Sequence, residues 1–260
     1  MPYKSIGDYG VIGDLHTVAL VGKDGSIDWC CFPHFDSPSL FGALLDDQQG
    51  GRFCIAPLDD GKQQQLYLPE TNVLLTRFLH HDGVAELTDF MPVECDEPDV
   101  CPKRHEIIRI LSVVRGTIRF RLECRPAFNF GRDRHRVIAD PQGVRFQSPS
   151  MVIGLVSPIP LTVVEGGVEA EFTLVAGQRI SFSFEHMESG SAEDLFVVPQ
   201  ASETALHDTV RFWRGWLAQC RYVGRWREMV QRSALTLKLL TYAPSGAIVA
   251  APTTSLPETI

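Results

Sequence analysis

Across about its first 186 residues the chain never holds an apolar run for long. Gly, Asp and Pro cut it into short β-prone pieces, as expected of strands joined by tight turns. Residues 17–21 and 26–32 flank Lys23-Asp24-Gly25, where an Asp-Gly pair supplies the positive φ that a tight hairpin requires. Residues 73–79 and 84–90 repeat the device around His81-Asp82-Gly83, and residues 107–114 and 117–124 repeat it around Arg115-Gly116. Further strands are predicted at 144–147, 151–156, 161–164, 168–175 and 179–184. Regular spacing of this kind favours an antiparallel β-sandwich over a barrel with interleaved helices.

The pattern changes after Pro199. Ser202 has the chemistry of an N-cap, and Leu206, Val210, Trp213 and Leu217 recur at helical spacing, which predicts a helix of about 18 residues ending near Gln219. A second helical pattern runs from Trp226 through Met229, Val230, Ala234 and Leu237 to Leu240, and Tyr242-Ala243-Pro244-Ser245-Gly246 breaks it. Each helix carries an apolar stripe that needs a partner, so a chain ending at Ile260 is expected to self-associate.

A net charge of −8 without any Lys/Arg run argues against nucleic acid as a partner. The seven cysteines, at 30, 31, 54, 95, 101, 124 and 220, form no CxxC pair and read as reduced thiols rather than as a disulfide framework or a zinc site. No secretory signal and no apolar stretch of membrane-spanning length is visible. The default expectation is therefore a cytoplasmic protein with no membrane partner.

No P-loop, GxGxxG, HExxH or GxSxG is present. His105-Glu106-Ile107-Ile108-Arg109 approaches the zinc-protease spacing, but Arg109 replaces the second histidine and the segment reads as a strand. His80-His81-Asp82 offers metal-ligating groups at a hairpin tip, where solvated polar side chains are the simpler reading. Asp8, Asp14, Asp24, Asp28, Asp36, Asp46 and Asp47 enrich the amino-terminal third in carboxylates. A general acid and base pair would draw on such groups, but most are explained as turn formers. Trp29, Phe32, Phe35 and Phe41 fit either a sugar-stacking platform or core positions, and core is favoured. No metal and no cofactor is expected.

Residues 6–14 (IGDYGVIGD), 24–29 (DGSIDW) and 35–41 (FDSPSLF) closely resemble the opening of glycoside hydrolase family 15 proteins of the bacterial glucoamylase and trehalase type. The resemblance continues through Gly50-Gly51-Arg52, residues 68–73 (LPETNV), 87–92 (LTDFMP), 125–131 (RPAFNFG) and 251–258 (APTTSLPE). It implies an amino-terminal antiparallel β-supersandwich over residues 1–190, a helical linker over 191–223, and the start of a truncated (α/α)6 catalytic barrel over 224–260.

In the family the barrel carries two glutamates, a general acid and a general base, which invert the anomeric centre. The resemblance places both beyond Ile260, so no catalytic residue is carried over to this chain. It implies an exo-acting α-glucoside hydrolase whose amino-terminal part is inactive alone, with the catalytic domain as its partner and an α-glucoside as the substrate of the complete enzyme. A non-catalytic carbohydrate-binding or scaffolding module is the alternative. The candidate substrate-proximal residues are His34, Phe35 and Asp36 in the loop after the first hairpin, and Thr254 and Glu258 near the carboxyl end.

Overall fold

The computed structural model of the chain describes residues 3–93, 105–187 and 199–256. Its strands form two antiparallel sheets that share one long strand. Strands β1 (Tyr9–Gly13), β2 (Val18–Gly22), β3 (Ser26–Cys31), β4 (Ser39–Phe41) and β5 (Arg52–Pro57) belong to the first sheet. The second begins with β6 (Lys62–Tyr67), β7 (Leu74–His80) and β8 (Gly83–Phe90). The shared strand is β9 (Glu106–Arg125). A short turn, α1 (Phe128–Gly131), has left-handed Asn129 and Phe130. It leads to β10 (Arg136–Asp140), β11 (Gly143–Gln147) and β12 (Val152–Val156). Then come β13 (Thr162–Val164), β14 (Gly167–Val175) and β15 (Arg179–Met187). Two helices follow, α2 (Pro199–Leu217) and α3 (Arg227–Leu239).

The expected hairpin at Arg115-Gly116 is not there. Residues 106–125 are one 20-residue strand that passes from sheet to sheet. Its first half pairs with β8 and β15, and its second half with β5 and β14. Gly116 marks the crossing, with φ of +79°. A Cβ on it would lie 1.7 Å from the Asp82 carbonyl oxygen. The glycine is thus a bend where two strands touch, a role that shares its residue type with a turn but not its topology.

Burial along β9 follows from this passage. In the first half Ile107 and Leu111 join the core between the sheets, while Ile108 and Ile110 pack outward against Leu206 and Val210 of α2. Both faces are covered, so consecutive residues 106–111 are all buried, Glu106 and Arg109 among them. In the second half only alternate residues, among them Ile118, Phe120, Leu122 and Cys124, are buried. The main core sets Ile12, Ile27 and Phe53 of one sheet against Phe78, Leu87 and Phe184 of the other. Trp29, Phe32, Phe35 and Phe41 are all buried.

Helix α2 begins at Pro199, so Ser202 lies inside it rather than capping it. Proline is tolerated at a helix start because the first turn needs no N–H there. The anticipated stripe packs as expected, with Trp213 and Leu217 meeting Leu235 and Leu239 of α3 and Leu15, Val18 and Phe35 of the sandwich. Residues 68–73 seat α3: Asn72 donates to the Leu235 carbonyl at 3.1 Å, Arg232 donates to the Thr71 carbonyl at 2.8 Å, and its guanidinium lies 4.0 Å over the Tyr67 ring. No helix among the described residues is long and apolar enough to cross a membrane.

Candidate functional site

The turn between β1 and β2 is built around a residue that dislikes its conformation. Leu15 has φ of +69°, uncommon for a bulky side chain. Two devices hold it there. The Asp14 carboxylate accepts the backbone N–H groups of His16 and Thr17 on Oδ1, at 2.9 and 2.8 Å. The Leu15 side chain is buried among the α2 and α3 residues, and its carbonyl accepts the Ala243 N–H at 2.8 Å.

Held this way, the turn presents Asp14 and His16 to two other segments. His105, just before β9, bonds through Nδ1 to Asp14 Oδ2 at 2.8 Å. His16 Nδ1 lies 3.2 Å from the Asp14 carbonyl oxygen. His34, in the loop after β3, completes a triangle of imidazoles whose centroids are 5.1 Å apart for His16 and His105, 5.5 Å for His34 and His105, and 6.3 Å for His16 and His34. Tyr242, from the segment after α3, stands edge-on to His16 and His34, at 6.0 Å from each. Burial, and then the neighbouring His105 and His16, hold the His34 imidazole below the ordinary histidine pKa. Its Nδ1 is buried with no hydrogen-bond partner. Imidazoles gathered with a carboxylate can exchange protons or bind a soft or borderline cation.

Of the residues singled out from sequence, His34 is in this cluster. Phe35 is buried beside it, 6.1 Å from Tyr242, and Asp36 is exposed. Thr254 is exposed in the turn of residues 252–255, and Glu258 lies outside the described residues. The structure brings residues 252–255 against β3, the strand that leads into the His34 loop: Trp29 Nε1 donates to the Pro252 carbonyl at 2.8 Å, and Cys31 Sγ is 3.0 Å from Ser255 Oγ. Sequence reasoning did not single out His16 or Tyr242 for a site. The signal available was Asp14-Leu15-His16, a carboxylate and an imidazole two residues apart in a turn.

The other histidine group, His80-His81-Asp82, is the β7–β8 turn as expected, but His80 is only 9% exposed rather than solvated. A separate polar cavity of about 430 Å³ is lined by residues including Arg52, Glu123, Arg125, Asp133 and His135.

The chain is similar to several known proteins. The family described as "Trehalase-like, N-terminal" matches residues 4–178. A trehalase of Thermoplasma volcanium is 34% identical over 265 residues, which cover 99% of this chain and 41% of that protein. A trehalase of Mycolicibacterium smegmatis is 30% identical over 287 residues, again 99% and 41%. The chain thus spans about two fifths of the length of the curated relatives it matches. Among solved structures, a human-microbiome protein assigned as a kojibiose phosphorylase superposes with a TM-score of 0.53 at 8% identity, covering 94% of this chain and 41% of the other, which is a likeness of fold alone.

Proposed function

The chain belongs to the family of trehalase-like N-terminal domains, and from that premise we propose that it is the non-catalytic sandwich portion of an inverting, exo-acting α-glucoside hydrolase. Trehalose is the first candidate substrate, because the relatives that align along the chain carry the name trehalase. Membership of glycoside hydrolase family 15 is part of the same proposal. Residues 1–190 form the sandwich, 191–223 the linker, and 224–260 open an (α/α)6 catalytic domain that supplies the two glutamates.

The observation that carries this reading is the outer side of α3. Its inner residues Leu235 and Leu239 pack on the sandwich and α2, while Trp226, Met229 and Leu237 on the opposite side are 52, 64 and 55% exposed. An apolar stripe of that kind is what a helix shows when further helices cover it. In this reading His34, Asp36 and Thr254 face the substrate pocket, Phe35 supports them from its buried position against α2 and α3, and Glu258 lies outside the described residues. The free thiols at Cys30, Cys31, Cys54, Cys124 and Cys220 fit a cytoplasmic setting.

The test is glucose release from trehalose, maltose and a maltooligosaccharide by this chain and by a longer form that continues past Ile260. Release by the longer form alone supports the proposal. Turnover by the 260-residue chain itself, surviving repurification, would place the chemistry in the sandwich and overturn it. A second reading, sugar binding by the sandwich, draws on the polar cavity beside Arg52 and Arg125. Titration calorimetry with maltooligosaccharides decides it, and absence of heat at millimolar ligand removes it.

A further inference from the structure

The two glutamates of the proposed hydrolysis leave the histidine triangle without an assigned role, yet its parts come from three distant segments and are held as a unit. We propose that His16, His34 and His105 bind one divalent transition-metal ion of the zinc type, with Asp14 as the positioning residue.

The spacing of the rings suits such an ion. Three imidazoles bound through one nitrogen each, at about 2.0–2.1 Å from a tetrahedral ion, hold their ring centroids roughly 5 Å apart. The observed separations are 5.1, 5.5 and 6.3 Å. An approach of about 1 Å by His34 toward His16 closes the longest of them. Ligand atoms of Asp14, His16 and His105 lie within 4.8 Å of one another without His34, so His34 is the ligand that must move in to complete the set.

The rings are also oriented for it. A metal-bound histidine characteristically gives its other ring N–H to a carboxylate or a backbone carbonyl. His105 does so through Nδ1 to Asp14 Oδ2, and His16 through Nδ1 to the Asp14 carbonyl, which leaves Nε2 of each to ligate. His34 brings a buried nitrogen without a protein partner. With two backbone N–H groups on Oδ1 and His105 on Oδ2, the Asp14 carboxylate is occupied as an orienter rather than free as a ligand. The His105 side chain is 14% exposed, so an ion can enter from solvent, and water completes the fourth position.

An imidazole set selects zinc, nickel, cobalt or copper over magnesium and calcium. The bound ion ties the β1–β2 turn, the loop after β3 and the start of β9 together, next to the strained Leu15 and to Tyr242 of the helical region. It acts as a clamp among three sandwich segments, at the face against which the helical region packs.

The test uses the full chain, stripped with chelator and titrated with Zn²⁺ by calorimetry and with Co²⁺ by absorption spectroscopy. One equivalent of Zn²⁺ binds, and Co²⁺ gives the intense visible bands of a tetrahedral site. His16→Gln and His34→Gln each weaken binding at least tenfold, Asp14→Asn weakens it roughly 10–100-fold while keeping the tetrahedral spectrum, and His81→Gln at the other histidine group changes nothing. NMR of the cobalt-loaded parent needs no variant: three paramagnetically shifted imidazole N–H signals report three histidine ligands. No saturable Zn²⁺ or Co²⁺ binding at micromolar metal overturns the proposal, as does a spectrum that survives His16→Gln or disappears with His81→Gln.

Discussion

Arg109 and Asp89 face each other inside the sandwich with no exposed side-chain surface on either, Nε to Oδ1 at 2.8 Å. The remaining guanidinium donors reach the Phe53 and Gly25 carbonyls, each at 2.7 Å, and the group lies 4.7 Å over the Phe53 ring. One arginine on β9 therefore joins β8, β5 and the turn that closes the β2–β3 hairpin. Removing either partner strands a buried charge, which costs about 3–5 kcal/mol. Arg109→Met and Asp89→Leu are each expected to lower unfolding stability by that amount in urea titrations. The double variant is expected to lose less than the sum, yet to remain below the parent because the Phe53 and Gly25 carbonyls each lose a charged donor, Gly25 keeping the Ile55 N–H at 3.1 Å.

Gly116 offers a sharper steric test. Gly116→Ala combines a left-handed backbone with a Cβ that meets the Asp82 carbonyl, and is expected to cost about 2–3 kcal/mol or more. Gly177 has φ of +86° with nothing within 4 Å of where an added methyl group would stand, so Gly177→Ala is expected to cost only about 1 kcal/mol of backbone strain. Equal losses in denaturant titrations would mean that the contact at the sheet crossing does not constrain the fold.

A pH effect follows from His135. Its ring lies 5.0 Å from Phe128 and 5.9 Å from Phe146, and burial holds its pKa below the ordinary value of 6.5. The unfolded chain then takes up the proton first. Stability that is fully present above 6.5 is expected to fall progressively as the pH drops below it. Thermal midpoints between about pH 8 and pH 5 should show this fall, and His135→Phe should make it shallower, the part that remains coming from His34, whose pKa burial also lowers. An unchanged slope in the variant would assign the effect elsewhere.

The strands were legible in the sequence where apolar residues met recognisable turn chemistry, as around Asp24-Gly25 and Asp82-Gly83. They were missed where they lie at edges with polar faces, as in β6, whose Lys62-Gln63-Gln64-Gln65 shows no apolar alternation. Gly116 misled because a positive φ serves a bend in one strand as well as a turn between two. The histidine cluster was illegible for a different reason. His16, His34 and His105 are brought together by pairing across a sandwich, and no spacing along the chain encodes that meeting. The Asp89 and Arg109 pairing is likewise invisible until the register of β8 on β9 sets them opposite each other.

The outer side of α3 yields the last expectation. Trp226, Met229 and Leu237 fall on one side of the helix, opposite the buried Leu235 and Leu239. Without further helices to cover it, that stripe should drive the 260-residue chain to associate at micromolar concentration. Met229→Glu with Leu237→Gln places polar groups at half-exposed or more exposed positions that make no core contact. The pair is expected to raise the monomer fraction in size-exclusion chromatography with light scattering, at a stability change within roughly 0.5 kcal/mol. A parent chain that is already a monodisperse monomer would remove the need for a covering domain, and with it the main structural support for reading α3 as the first helix of a larger catalytic unit.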